Sequence, residues 1–351
     1  MFNYKTFSRG ISVFILAMLF ILPNFAQQNL TRPRASQQAS VSQRVGLTDI
    51  TINYHRPGVK GREIWGKLVP YDQIWRAGAN ENTTISFSTR VKINGKEVPA
   101  GKYGLHMIPT EKNWTIILSK DNAAWGSFFY DESHDQMRFS STPTATDFQE
   151  WLSYTFGDVT PNSSTVALRW ENLSIAFTVD VDVNQIVAEN MEEQLTGLAG
   201  FGWQGWNQIA NYYMRNNIDV NQALAFADRS IGINKNVTNS FTKAIILESL
   251  GKNDEAEVLK KEAFVNANEN DINTLGYQFL FAGKIDNAMV IFKKNVEMYP
   301  DSWNVYDSLA ECYAAAKDND NAIEYYTKAL ENAPENQKNR IIASIDNLKG
   351  S

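Results

Sequence analysis

A 34-residue repeat near the C-terminal end constrains the fold of this chain more than any other feature of its sequence. Residues of the segment 269–300 recur 34 positions later, and the matching pairs are Ile272 and Tyr306, Leu275 and Leu309, Gly276 and Ala310, Phe279 and Tyr313, Ala288 and Ala322, Phe292 and Tyr326, and Pro300 and Pro334. A fixed period of this kind, with bulky apolar residues on one helix and small and aromatic residues on the next, is typical of stacked helical hairpins. Such hairpins serve mainly as binding surfaces, so the repeat predicts recognition rather than catalysis.

The helical pattern extends on both sides of this repeat. A period of about 3.6 residues begins after Asp182, which predicts a helix at 186–198 and then two less regular hairpins before Glu269. Residues 336–348 form an amphipathic segment that is suited to cap a solenoid, with Ile341, Ile342 and Ile345 on one side. We therefore predict a helical linker at 184–205 and a repeat domain with a capping helix at 206–351.

The preceding segment alternates between apolar and polar residues, as strands do. The clearest case is 173–181, in which Leu173, Ile175 and Phe177 alternate with polar or small residues. Asn94-Gly95 is a strong hairpin-turn signal. About nine or ten short strands, one of them at 126–130, predict a two-sheet antiparallel β-sandwich at 44–183. A closed barrel remains the alternative, because it has the same alternation.

The N-terminal residues resemble an export signal. Lys5 and Arg9 precede an apolar run at 11–22, and Ala26 lies at a plausible cleavage point, so residues 1–26 are predicted to be a signal peptide. An uncleaved anchor is the alternative, because Asn24 departs from the usual small residue. The Gln- and Ser-rich residues 27–43 are predicted to be a flexible leader. The expected location is periplasmic or secreted, without stable membrane insertion after cleavage.

Charge and cysteine content exclude some classes of function. Removing the signal removes Lys5 and Arg9, so 31 basic and 39 acidic residues leave a net charge of −8. An acidic chain without a basic stripe is a poor nucleic-acid binder, and we expect no nucleic-acid partner. Cys312, the only cysteine, lies in a helical repeat and is predicted to be a buried structural thiol.

The helical half resembles tetratricopeptide repeats, most clearly in its last two hairpins. The resemblance implies that the first helix of each hairpin lines a groove for a protein or peptide partner. It places these residues near the groove: Asn270, Asn273, Tyr277, Phe281, Asn304, Asp307 and Glu311. The acidic Asp307 and Glu311 have the wrong charge for capturing a chain-terminal carboxylate. The alternative is that the repeats only scaffold or dimerise the protein.

The strand-rich half resembles a family of exported bacterial proteins known as domain of unknown function 2911. The resemblance covers about residues 40–182 and is carried by these segments: Tyr54-His55-Arg56-Pro57-Gly58-Val59-Lys60-Gly61-Arg62, Ile64-Trp65-Gly66, Leu68-Val69-Pro70-Tyr71, Trp75-Arg76-Ala77-Gly78-Ala79-Asn80-Glu81, Pro99-Ala100-Gly101-Lys102-Tyr103-Gly104-Leu105 and Trp125-Gly126. Because that family has no assigned activity, the resemblance implies a domain identity without a function.

Loops in the stretch 56–81 are the candidate ligand site of this domain. Cationic and aromatic side chains there suit a small anionic or carbohydrate ligand, and the candidates are Arg56, Lys60, Arg62, Trp75, Arg76, Asn80 and Glu81. A structural interpretation competes with this one. The arginines would then bond backbone carbonyls, the glycines would meet turn geometry, and the tryptophans would fill the core.

No catalytic residue is assigned from the sequence. The chain lacks a Gly-x-Ser-x-Gly elbow, and its three histidines, His55, His106 and His134, have no metal-ligand spacing. The sequence therefore predicts an exported, non-enzymatic binding or scaffold protein without a cofactor. Two alternatives remain, namely a glycan-binding module and a metal-dependent hydrolase or metalloprotein that holds zinc or another divalent ion through the histidines and Glu81.

Overall fold

The structure is a computed structural model that describes residues 32–265 and 267–350. The predicted signal peptide and the first residues of the predicted leader lie outside this range. Within the described residues, strands occupy the first half and helices the second. None of the described helices is both long enough and apolar enough to cross a membrane.

Ten strands form two antiparallel sheets. Their bounds are β1 Gln37–Val45, β2 Thr48–Arg56, β3 Thr84–Phe87, β4 Val91–Ile93, β5 Lys96–Val98, β6 Gly101–Ile108, β7 Trp114–Ser119, β8 Asp135–Ser141, β9 Thr144–Gly157 and β10 Ser163–Asp180, all within the described residues. One sheet has the strand order β1-β2-β3-β6-β7-β8, and the other has the order β5-β4-β10-β9. The predicted two-sheet sandwich is confirmed.

Apolar side chains from both sheets form one continuous core. Four tryptophans pack together here, Trp114 and Trp170 within the core and the partly buried Trp65 and Trp75 against it, with ring centroids 4.8–6.4 Å apart. Trp114 and Trp170 are fully buried. Edge-to-face packing of such large rings adds to the free energy of burying them. Core packing therefore accounts for most of the tryptophans of this domain.

The structure corrects two local predictions. Residues 37–43 were predicted to be flexible, yet they belong to β1, which pairs with β2 along its whole length from Gln37 opposite Arg56 to Val45 opposite Thr48. Backbone hydrogen bonds to β2 hold this edge strand in place along its length, so it needs few apolar side chains. Residues 126–130, predicted to be a strand, form a loop of turns instead.

Ten α-helices in the described residues follow the sandwich. Their bounds are α1 Val183–Leu195, α2 Trp203–Arg215, α3 Val220–Ile233, α4 Val237–Ser249, α5 Asn253–Ala263, α6 Glu269–Phe281, α7 Ile285–Met298, α8 Trp303–Ala315, α9 Asn319–Asn332 and α10 Glu335–Lys349. The pairs α2–α3, α4–α5, α6–α7 and α8–α9 pack as hairpins, and α10 packs on α9. The predicted solenoid of four hairpins and a capping helix is confirmed.

Helix α1 joins the two halves and packs on the sandwich. The side chain of Asp182 caps this helix by accepting a hydrogen bond from the Gln185 amide at 3.3 Å. Ile186 is part of the sandwich core. Arg90, just before β4, forms two hydrogen bonds to the Glu189 carboxylate at 2.6 and 2.7 Å. The first helix is therefore attached to the strand domain.

The solenoid has one loose joint. In the other hairpins the second helix packs on the next helix of the chain, but α5 makes few contacts with α6. A slot of about 820 Å³ opens here between the hairpins, with Phe241 and Phe264 among its apolar walls and Lys261 and Lys294 at its edge. The hairpin α4–α5 is therefore held to α6 mainly through α4.

Candidate functional site

The loop that follows β2 has an unusual backbone. Lys60, Asp72, Ala77 and Asn80 adopt left-handed conformations with φ between 50° and 58°. Such conformations cost energy for residues with a Cβ atom and persist only where the surroundings impose them. This loop is a rigid structural element rather than a flexible connection.

The cations at the start of this loop are used within the protein. Arg56 donates from Nε to the Leu152 carbonyl at 2.9 Å. Arg62 donates to the carbonyls of Val59 and Gly58 at 3.1 and 2.6 Å. Lys60 lies over the ring of Trp151, with its Nζ 5.7 Å from the centroid. These contacts match the structural interpretation of the segment 56–62.

The end of the loop borders an open cleft of about 770 Å³. We call it the strand-domain cleft, and its walls include Arg34, Gln37, His55, Glu81 and Lys102. Arg34 donates to both oxygens of Glu81, one of them at 2.5 Å, and His55 Nε2 lies 3.2 Å from the same carboxylate. Asn80, another candidate, is used to anchor β1 by donating to the Ser36 carbonyl at 2.9 Å.

Electrostatics fix the charge states in this cleft. The hydrogen bond from Arg34 lowers the pKa of Glu81, so its carboxylate stays ionised at neutral pH. Burial lowers the pKa of His55, and the nearby charge of Glu81 only partly opposes this effect. At neutral pH the cleft therefore presents an uncharged imidazole next to an ionised carboxylate, and the positive charge of Arg34 balances the charge of that carboxylate.

Arg76 differs from the other candidate cations. Its side chain is partly buried beside a small cavity of about 150 Å³, whose walls also include Ile74, Trp75, Ser127 and Phe128. No described residue accepts a hydrogen bond from Arg76 or pairs with its charge, and its Nε is buried without a partner. Burial lowers the pKa of this arginine. Arg76 is the candidate that the fold leaves available for a ligand.

The three histidines occupy separate environments. His55 faces Glu81, His106 is buried with Nδ1 2.9 Å from Ser127 Oγ, and His134 is exposed with Nδ1 2.7 Å from Asp121 Oδ2. Among the residues 32–265 and 267–350, no three His, Cys, Asp or Glu side chains are arranged to hold a metal ion. The metal-binding alternative thus finds no ready ligand set in the described chain.

Most of the predicted groove residues of α6 and α8 already have hydrogen-bond partners within the protein. Tyr277 donates to Glu311 at 2.6 Å, and Asn304 donates to Glu269 at 3.0 Å. Arg340 of the capping helix donates to the buried Asp307 at 2.7 Å. The remaining predicted residues are Asn270, which is exposed, Asn273, whose Oδ1 is buried without a described partner, and Phe281, whose side chain is exposed and stacks on Tyr277.

An open hollow lies nearer the N-terminal hairpins. It has a volume of about 510 Å³ and is lined by the first helices of three hairpins, α2, α4 and α6. We call it the first-helix hollow, and its walls include Asn207, Asn211, Ile245, Gln278 and Phe281. Of the predicted groove residues, only Phe281 lines it.

Sequence reasoning missed several residues of these surfaces. Arg340 of the capping helix was not among the predicted site residues, yet its guanidinium pairs with Asp307 of α8. Ser127 lies in the loop that was predicted to be a strand. Asn207 and Asn211 are spaced by one helical turn in α2, a signal that could have identified them as one polar face.

Comparisons with known proteins agree with this description. Residues 36–179 match the family model "Protein of unknown function (DUF2911)", and residues 303–336 match that of the tetratricopeptide repeat. No curated protein is significantly similar to the chain.

Solved structures that are similar to part of the chain include tetratricopeptide proteins. YrrB, described as "a TPR protein with an unusual peptide-binding site", is 15% identical, with 46% of this chain and 88% of YrrB covered at a TM-score of 0.25. TTC0263, a protein of Thermus thermophilus, is 17% identical, with 48% and 92% covered at a TM-score of 0.28. On the family matches, residues 36–179 are similar to the DUF2911 family, whose function is unknown, and residues 303–336 are similar to the tetratricopeptide repeat.

Proposed function

We propose that this chain is an exported, non-enzymatic binding protein. Its helical domain would hold an extended segment of a partner protein, and its strand domain would hold a small ligand. The tetratricopeptide match supports the interaction role of the helical domain. Export is proposed from the pattern of residues 1–26, and it is tested by sequencing the N-terminus of protein recovered from the secretory route. A chain that still begins at Met1 would contradict cleavage.

The first-helix hollow is the observation that carries the interaction role. Asn207, Asn211 and Gln278 line it with amide groups, which both donate and accept hydrogen bonds as a peptide backbone does. The Asn207 side chain is buried, and its Oδ1 has no hydrogen-bond partner among the described residues. An N–H group of a bound segment would satisfy this oxygen.

The charge of the hollow indicates the kind of segment. Arg215 and Lys284 line it, and no Asp or Glu is among its described lining residues. This is a local excess of positive charge in a chain whose net charge is negative. Complementary charge favours the association of an acidic segment. The exposed ring of Phe281 adds an apolar contact at the edge.

Peptide selection tests this role. Peptides selected from a random library against the mature chain are expected to be enriched in Asp and Glu. Their affinity should fall about tenfold or more in Phe281→Ser, because the exposed aromatic anchor is lost, and also in Lys284→Glu, because the charge is reversed. Calorimetry on each variant measures the dissociation constant.

Val290→Ser provides the matched control. Val290 is an exposed apolar residue on α7, a second helix, and it lines the slot at the loose joint rather than the first-helix hollow. Its substitution should leave the affinity unchanged. Peptides that bind Phe281→Ser normally but fail to bind Val290→Ser would place the binding surface on the opposite helices and contradict the proposal.

The strand domain is proposed to hold a ligand because the loop after β2 borders an open cleft and a small cavity. The metalloprotein alternative makes a different prediction. Stoichiometric zinc in purified mature protein that disappears in His55→Ala or His106→Ala would replace the proposed role with a metal-dependent one.

A further inference from the structure

Arg76 is a cation that the fold partly buries without compensation. The Nε–H of its guanidinium is buried and has no hydrogen-bond acceptor among the described residues. Arg56 and Arg62, by contrast, bond to backbone carbonyls. Removing a charge from water without a partner destabilises a protein. Such a group is retained in a native fold when something other than stability requires it.

The cavity beside Arg76 supplies a second polar group. Ser127 Oγ lies 2.9 Å from Nδ1 of the buried His106. When Nδ1 carries the imidazole proton, it donates to Oγ, and the hydroxyl proton is then free to be donated to a ligand. The cavity volume of about 150 Å³ is a few times the roughly 30 Å³ that one water molecule occupies in the liquid. It is large enough for one oxyanion group.

The backbone on both sides of Arg76 is held rigidly. Trp75 exchanges two backbone hydrogen bonds with Met107, both at 2.8 Å. The carbonyl of Ala77, a residue at φ 50°, accepts a hydrogen bond from the Tyr154 hydroxyl at 2.9 Å. The backbone that carries Arg76 therefore needs no reordering when a ligand binds.

The loop that contains Ser127 passes close over Arg76. Gly126 adopts φ 64°, and a Cβ atom at this position would lie only 2.9 Å from Arg76 Nη1. Glycine therefore lets the loop approach the guanidinium. The next residues, Phe128 and Phe129, expose 77% and 74% of their surfaces. Of the two, Phe128 also lines the cavity beside Arg76, and an exposed ring beside an unpaired cation is suited to an anionic ligand that also has an apolar face.

We infer that Arg76 and Ser127 form a binding site for an oxyanion group, such as a carboxylate, sulfate or phosphate, on a ligand whose body packs against Phe128. The inference rests on the proposed ligand-binding role of the strand domain and names the ligand class. A planar guanidinium and a hydroxyl are a suitable donor set for such a group. The bound anion would supply the missing partner of Arg76.

Thermal unfolding of the mature chain tests the site. Sulfate, phosphate, glucuronate and the uncharged glucose serve as probes, with ionic strength held constant by chloride. The three anions should each raise the Tm of the strand domain, by roughly 3 °C at a concentration well above the dissociation constant, whereas glucose should not. In Arg76→Met this shift should disappear. Comparing glucuronate with the inorganic anions shows whether the sugar ring contributes to binding.

Arg56→Met is the matched control, because the Arg56 guanidinium has a structural partner in the Leu152 carbonyl. Arg56→Met should have a lower Tm than the parent chain in the absence of anion, and adding an anion should still raise its Tm. Arg76→Met should leave the Tm without anion equal or raise it, since an unpaired charge is removed.

Three results would overturn the inference. If Arg76→Met lowers the Tm as much as Arg56→Met does, Arg76 has a structural role. If the anions stabilise Arg76→Met as strongly as the parent chain, the ligand site lies elsewhere, and only the assignment to Arg76 fails. If no probe stabilises the parent chain, the anion site is rejected and the ligand-binding role of the strand domain loses this support as well.

Discussion

The three histidines show how one residue type acquires different proton affinities within a single domain. His106 is buried, and burial lowers its pKa to about 4. Burial also lowers the pKa of His55, although Glu81 opposes this change. The exposed His134 has a raised pKa because it bonds to Asp121. At neutral pH, His106 therefore offers Ser127 a neutral ring.

The pKa of His106 predicts how stability depends on pH. In the unfolded chain a histidine titrates near its usual value of about 6.5, so between about pH 6.5 and 4 the unfolded state binds more protons than the folded state. The contribution of His106 to the free energy of unfolding is therefore fully present above pH 6.5. It is lost as the pH falls, and the loss reaches roughly 3 kcal/mol at pH 4. Urea unfolding followed by tryptophan fluorescence at several pH values measures this slope.

Two variants isolate the contribution of this histidine. His106→Asn should have a shallower slope between pH 6.5 and 4. In His134→Asn the slope should be unchanged or slightly steeper, because the raised pKa of His134 acts in the opposite direction. An unaltered slope in His106→Asn would show that other groups determine the acid sensitivity.

At the scale of elements, sequence reasoning succeeded where side-chain patterns determine the structure. The hairpins α6–α7 and α8–α9 were predictable because large and small residues must alternate for two helices to pack closely. Strand β1 was missed because its backbone hydrogen bonds with β2 stabilise it, and side-chain patterns do not report them. The loop at 126–130 was mistaken for a strand because its aromatic residues suggest burial, whereas Phe128 and Phe129 are exposed.

The candidate sites were harder to predict than the fold. The sequence grouped Arg56, Arg62 and Arg76 as equivalent cations, and only the structure shows that the first two have carbonyl partners. These partners depend on distant segments, such as Leu152 for Arg56. Similarly, Asp307 reads as a free groove charge until the capping helix brings Arg340 to it. Long-range pairing of this kind leaves no local signal in a single sequence.

Gly276 gives a prediction about helix packing in α6. A Cβ atom at this position would lie 2.7 Å from Cζ of Phe292 on α7. Although alanine favours helices more than glycine does, Gly276→Ala should destabilise the helical domain by roughly 1–3 kcal/mol, because the hairpin must open to avoid the clash. Chemical denaturation followed by circular dichroism at 222 nm measures the change.

Gly232 in α3 is the matched control, since a Cβ atom there meets no neighbouring atom within 4 Å. Gly232→Ala should stabilise the domain by roughly 0.5–1 kcal/mol through helix propensity alone. If both variants stabilise the protein equally, the close packing of α6 on α7 does not limit residue size at position 276.

At the scale of the whole molecule, the two halves differ in how their parts are connected. The sandwich has one continuous core, to which α1 contributes Ile186. The solenoid has several smaller cores, one of which extends from α4 to α8, and its sparsest helix-to-helix contact is the one between α5 and α6. In a linear array each unit is stabilised by its neighbours, so a weak interface is where cooperativity is lost.

Hydrogen exchange should reveal this joint. We expect amides of α2–α5 to exchange through an opening of lower free energy than amides of α6–α10, with the change occurring between α5 and α6. Mass spectrometry of peptides from these helices, measured over minutes to hours, provides the test. A single opening free energy shared by all nine helices would show that the solenoid unfolds as one unit.

The weak interface after α5 also lies within the span of the first-helix hollow, whose walls come from α2, α4 and α6. A small rotation there would change the pitch of the superhelix and the width of the hollow together. A bound segment would have to hold the hairpins on both sides of this interface at one angle, and part of its binding free energy would be stored as elastic energy. The stiffness of the interface after α5 would then determine how strongly the domain binds its partner.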